Sequence, residues 1–212
     1  MSEKKVKILR TLVLFYLISF SVVNWNDISW LFNYKAVSGV LYDFFNPYPS
    51  FNFSAADSNK RPANGSYYSN NGSVEIPSIG VLAPIVFSKS ENIKEIVKDL
   101  DRGVVYYPGS VLPGQKGQIV VLGHSSPPNW PKIKYDGVFS NLNNLKKGDK
   151  VSLWFGGKEY IYRVEKKAIL DVGQEITPAV LTNSNNVVVL VSCWPPGKNI
   201  QRIAVFSELE PI

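Results

Sequence analysis

Cysteine and histidine are almost missing from this chain of 212 residues: it has one of each, Cys193 and His124. A single cysteine excludes an intramolecular disulfide framework, and one His with one Cys cannot fill a tetrahedral zinc site. No Gly-rich loop ending in Lys-Ser/Thr is present, which removes the common phosphate-cradling motif. No acidic cluster is arranged for calcium, and Glu91, Glu95, Asp99 and Asp101 read as a solvated helix face. No metal or other cofactor is expected. A broad excess of positive charge is lacking too. The formal +6 suggests nucleic acid until it is divided: Lys4, Lys5, Lys7 and Arg10 against Glu3 put +3 in the first ten residues, leaving +3 for the other 202. No nucleic-acid partner is expected.

What is present is placement. His124 and Cys193 each close an apolar, β-like run, Ile119-Val120-Val121-Leu122-Gly123-His124 and Val187-Val188-Val189-Leu190-Val191-Ser192-Cys193. A thiol is a strong nucleophile only as thiolate, and a nearby imidazole either accepts its proton or stabilises the anion as imidazolium. The pair therefore reads as the centre of a cysteine transferase or hydrolase. The plainer alternative is a buried thiol and a satisfied turn histidine.

The basic start precedes Thr11 to Val23, an uncharged and mostly apolar run. A span needs about 20 residues, a length reached by Val6 to Trp25 if Lys7 and Arg10 extend toward the headgroups, with Trp25 and Trp30 near the far interface. Small residues suited to signal cleavage do not follow the run closely, so an uncleaved signal anchor with a cytoplasmic amino terminus is expected. Residues 1–27 are assigned to this anchor, and 28–73 to an aromatic juxtamembrane stretch and an Asn/Ser/Pro/Gly-rich linker. At 46–73 the linker would hold the body on the order of 30 Å from the bilayer. Its sequons at Asn52, Asn64 and Asn71 reflect polar composition rather than glycosylation.

Residues 74–212 form the expected catalytic body. Gly 15 and Pro 14 imply many turns, and aromatic content of 13% supplies a core. Strand-like runs occur within Glu75 to Val86 and at Gln118–Leu122, Lys150–Phe155, Glu159–Ala168, Val187–Ser192 and Arg202–Glu208. Ile93, Ile96, Val97 and Leu100 predict one helix with its apolar side inward. The fold class is mainly β, a barrel or sandwich.

An ordered set of motifs carries more. Ile76-Pro77-Ser78-Ile79-Gly80 with Ala83-Pro84-Ile85-Val86 comes first, then Gly103 to Ser110, Leu112 to Gly117 and Val121-Leu122-Gly123-His124-Ser125. Leu145 to Val151, Val189-Leu190-Val191-Ser192-Cys193 and Arg202, nine residues beyond the thiol, complete it. From about Glu75 to Leu209 the chain resembles the sortases, membrane-anchored cysteine transpeptidases of bacterial surfaces. The resemblance implies a closed eight-stranded β-barrel with one or two short helices, preceded by the membrane helix. It implies that Cys193 attacks a Leu-Pro-X-Thr-Gly-like sorting signal and carries the acyl group as a thioester. An amine from a cell-wall peptide or a pilin lysine would accept it. His124 becomes the acid/base and Arg202 the backbone clamp or oxyanion partner, while Ser192 is a candidate substrate contact. The implied location is the cell membrane, single-pass, with the catalytic domain outside.

The chain departs from the family pattern at Tyr106-Tyr107, where many members have a His, and at Val189 and Ser192, where Thr is common. The segment from Ser125 to Gly137 is a candidate cleft wall. The thiol-to-Arg spacing is similar to that of pilin-polymerising members, which generally also have a carboxyl-terminal membrane helix; this chain ends at Ile212, so no subclass is assigned. Papain-like enzymes place Cys before His, and L,D-transpeptidases have a His two residues before the Cys, where this chain has Val191. The competing readings are a non-catalytic anchored β-domain, an adhesin or scaffold, and a cysteine endopeptidase that only hydrolyses.

Overall fold

The computed structural model describes residues 3–33, 37, 72–131, 133–174 and 185–211. The three sequons and nearly all of the expected linker lie outside them. At the amino terminus, helix α1 (Glu3–Val23) is followed by a short helix α2 (Trp25–Ile28) and a 3-10 turn at Ser29–Phe32. None of α1's side chains is buried; Leu14 is 61% exposed and Phe15 70%. The helix is long and apolar enough to cross a membrane by length and composition.

The β-rich part contains strands β1 (Ser73–Ile76), β2 (Val81–Phe87), β3 (Val104–Tyr106), β4 (Gly117–Leu122), β5 (Lys150–Phe155), β6 (Lys158–Asp171), β7 (Asn186–Trp194) and β8 (Gln201–Leu209). They close into a barrel in the order β1-β2-β3-β4-β7-β8-β6-β5. The Glu75 to Val86 run is two antiparallel strands, because Pro77–Ile79 form a 3-10 turn capped by Gly80 at φ 66. A left-handed residue of that kind suits Gly, which has no Cβ to clash. Strand β3 has no counterpart among the sequence-predicted runs. Its three residues are all buried, so it shows no alternation to read.

Two of the pairings are parallel, β2 with β3 and β4 with β7, and each needs a long crossover. Helix α3 (Ile93–Leu100) makes the first. Asn92 caps it, its side chain accepting from the Lys94 amide at 2.9 Å. Only one edge of the predicted apolar stripe is used. Ile96 and Leu100 are buried against Val105, whereas Ile93 and Val97 are exposed. A helix of 8 residues laid across one short strand covers that strand with about one residue per turn.

The barrel interior holds the main core, including Ile119, Val121, Leu153, Tyr162, Val188, Leu190, Ile203 and Val205. A second apolar cluster lies on the opposite face of the same strands: Leu170, Val187, Val189, Val191, Ala204 and Phe206, with Val120, Leu122 and Ala168 at its margin. Strand residues alternate between faces, so β4, β7 and β8 are apolar on both. This explains why they read as continuous hydrophobic runs. Burial pushes the phenol of Tyr162 up to about 12, and that of Tyr106 well above the ordinary phenol range. The Tyr106 hydroxyl donates to the Val111 carbonyl, so the first of the two tyrosines at Tyr106-Tyr107 is a core residue.

Candidate active site

The register of β4, β7 and β8 determines where His124, Cys193 and Arg202 sit. In the parallel β4–β7 ladder the last pair is Leu122 with Val191, and the Gly123 amide still donates to the Val191 carbonyl at 3.0 Å. Carried two residues beyond that pair, the same register sets His124 level with Cys193. On the other side of β7, Cys193 is the direct antiparallel partner of Arg202, which in turn faces Leu170 of β6. Directly paired residues share a face of the sheet. His124 continues the face of Val120 and Leu122, Cys193 that of Val189 and Val191, and Arg202 that of Ala204 and Phe206. All three candidates therefore belong to the outer face, at one end of the second apolar cluster.

Cys193 lies inside β7 rather than beyond its end, because Trp194 still pairs with Gln201. Its thiol is partly exposed and lies 3.9 Å from the Asn199 side-chain oxygen in the β7–β8 turn, close enough for a weak S–H donation. Arg202 is partly buried, and its Nη1 donates to the Gln201 carbonyl at 2.8 Å, which ties down one edge of the guanidinium. The imidazole of His124 is 23% exposed, open to a substrate yet flanked by protein.

Backbone clamps hold this arrangement. Ser192 is 3% exposed and its hydroxyl donates to the Gly123 carbonyl at 2.7 Å. It faces the fold instead of the solvent side on which a peptide would lie. Ser125 donates to the Cys193 carbonyl at 2.9 Å, and the Phe139 amide donates to the His124 carbonyl at 2.9 Å. Gly123 is required by close approach: a Cβ there would stand 2.2 Å from the ring of buried Phe139. The segment after His124 is tied back by Ser126, whose amide donates to Ser140 Oγ at 2.8 Å. Gly197, at φ 76, lets the β7–β8 turn approach Pro127, which would lie 2.4 Å from an added Cβ.

One residue that matters here is not found by reading the sequence for function. Asp101, assigned above to a solvated helix face, has its Oδ1 3.8 Å from His124 Nε2. Asp101 is 54% exposed, whereas the neighbouring Asp99 is only 16% exposed and pairs with Arg102. Asp101 differs because α3 ends against β3 and delivers its last residues to the end of β4, a tertiary consequence that local sequence does not carry. Among the described residues, no cluster of three or more His, Cys, Asp or Glu is placed to hold a metal ion.

The Sortase domain family model matches residues 74–210. Among curated proteins, the chain is 31% identical to sortase D of Bacillus subtilis over 124 residues, covering 58% of this chain and 54% of that protein. It is 27% identical to sortase A of Bacillus anthracis over 138 residues, 65% of this chain and 59% of the relative. The chain thus spans between half and three fifths of the length of these two relatives. Among solved structures, sortase C1 of GBS pilus island 1 superposes with a TM-score of 0.54 at 24% identity, covering 68% of this chain and 66% of that one. This last likeness is one of fold.

Proposed function

This chain belongs to the sortase family, and on that premise we propose that it is a membrane-anchored cysteine transpeptidase with Cys193 as nucleophile, His124 as acid/base and Arg202 as anion-stabilising cation. One observation carries the reading: Cys193 is the direct strand partner of Arg202, and the β4–β7 register, extended two residues past Leu122 and Val191, brings His124 level with Cys193. The Cys193 thiolate attacks the carbonyl carbon of a scissile peptide bond in a Leu-Pro-X-Thr-Gly-like sorting signal. Arg202 faces the oxyanion that forms, and a preorganised cation in a partly dry cleft is most effective where charge develops. When the intermediate collapses, the carbon–nitrogen bond breaks and His124 gives its proton to the leaving amine. An acceptor amine then attacks the thioester, its proton passing to His124 and the thiolate leaving. The acceptor is a cell-wall peptide or a pilin lysine.

Val120 and Leu122, the partly exposed margin of the outer apolar cluster, suit the Leu and Pro of such a signal. Ser192 acts as a positioning residue: by holding Gly123 it sets the level of His124 against Cys193. Helix α1 acts as a signal anchor, with the basic first residues cytoplasmic and the barrel outside the cell, where the secreted substrates are. Residues 1–27 then serve as anchor, 28–73 as spacer and 74–212 as enzyme.

Incubating the detergent-solubilised chain with a quenched Leu-Pro-X-Thr-Gly peptide library and an amine tests this. The expected result is amine-dependent product together with a Cys193 adduct visible by mass spectrometry. Cleavage without amine incorporation would indicate a hydrolase, and no adduct with any peptide would leave a non-catalytic barrel.

A further inference from the structure

Resting on the reading of His124 as the acid/base, we propose that Asp101 is a positioning residue that orients the imidazole and stabilises its protonated form. Two neighbouring elements of the barrel supply the pair, the helix that leads into β3 and the end of β4, and both backbones are held. Asp101 is the C-cap residue of α3, whose Ile96 and Leu100 are buried against Val105 with Leu122 packed alongside. Leu122 is the last residue of β4, two before His124. The helix is therefore anchored on the same strand that delivers the imidazole, and the 3.8 Å between Nε2 and Oδ1 follows from that packing.

The electrostatics point the same way. A carboxylate at a helix carboxyl end sits against the negative pole of the backbone dipoles, an unfavourable place that a nearby cation relieves. Protonated His124 is such a cation, and it is favoured by Asp101 and by the helix end together. The next residue, Arg102, does not compete, because it pairs with Asp99. Among the described residues, the other titratable or charged groups on the face of His124 are Cys193 from β7 and Arg202 from β8. With Nε2 turned to Asp101, Nδ1 is the nitrogen left to exchange protons with thiol, leaving amine and incoming amine. At 3.8 Å the carboxylate acts on the ring by charge, favouring the imidazolium with Nε2 toward Asp101.

Having a single histidine makes the test clean, since the imidazole of the full chain gives one NMR titration. Four proteins are compared: wild type, Asp101→Asn, Asp101→Glu, and Glu95→Gln as a same-charge change on the exposed side of α3. In Asp101→Asn the titration of His124 is expected to move to lower pH by about half a unit, the scale of a partly exposed ion pair. The kcat/KM limb set by the imidazole should move with it, kcat should fall about threefold, and KM should hold. Asp101→Glu should restore both readings, and Glu95→Gln should leave them unchanged. A titration in Asp101→Asn that coincides with wild type, or an equal shift in Glu95→Gln, would overturn the proposal. A wild-type chain inactive on every peptide would sink the transpeptidase reading alone, because the titration reports on the pair without substrate.

Discussion

The two faces of β4, β7 and β8 carry nearly the same residue types and do different work. Inward, Ile119, Val121, Val188, Leu190, Ile203 and Val205 fill the barrel. Outward, Val189, Val191 and Ala204 form a second buried cluster with Val120 and Leu122 at its partly exposed margin, and Cys193 and Arg202 pair at its end. Since side chains alternate along a strand, one register decides both sets, and a slip of one residue would exchange core for chemistry. Stability and reactivity are thus specified by the same hydrogen-bond ladder but can be perturbed separately.

Substitutions on the two faces should split accordingly. The largest effect is expected from Cys193→Ala, which abolishes thioester capture and transfer while changing unfolding free energy by less than about 1 kcal/mol, since the thiol is partly exposed; mass spectrometry and denaturant titration read the two quantities. Arg202→Lys should come next, lowering kcat/KM on the order of 100-fold at unchanged stability, because an ammonium cannot reproduce the planar fork. A Lys variant at full activity would break the assigned role. On the inner face, Leu190→Ala should cost about 3 kcal/mol in urea unfolding. Its turnover per folded molecule should stay near wild type. The smallest effect sharpens the boundary: Ser192 is inward and buried yet bonds the carbonyl beside His124. Ser192→Ala should therefore cost about 1 kcal/mol and a few-fold in kcat together, and Ser192→Thr, which keeps the hydroxyl, should recover both. A pure stability loss in Ser192→Ala would return it to the core.

Much of this was legible in the sequence, for identifiable reasons. Strands β5, β7 and β8 are long enough and bounded by turns, so their predicted extents fall within two residues of the observed ends. Strand β6 extends further than expected, through Asp171, because its pairing with β8 continues past a bulge between Val164 and Lys166. His124 and Cys193 stood out by rarity and Arg202 by resemblance. Three features needed tertiary structure. Strand β3 is too short to show a period, the inward turn of Ser192 depends on which face of β7 meets the core, and Asp101 approaches His124 only because α3 docks on β3 and β4. The outer apolar cluster was written in the Val-rich runs, but only barrel closure distinguishes its two faces.

The parallel β4–β7 ladder joins segments whose clamp, Ser192 to Gly123, bridges 69 positions of sequence. Contacts of such separation form late, after the entropy of closing the intervening loop has been overcome. In a half-folded chain, thiol and imidazole are strangers, and an unassisted thiol near neutral pH is mostly protonated and sluggish. On the proposed reading, reactivity is therefore a property of the finished barrel, and a half-folded copy carries no armed nucleophile.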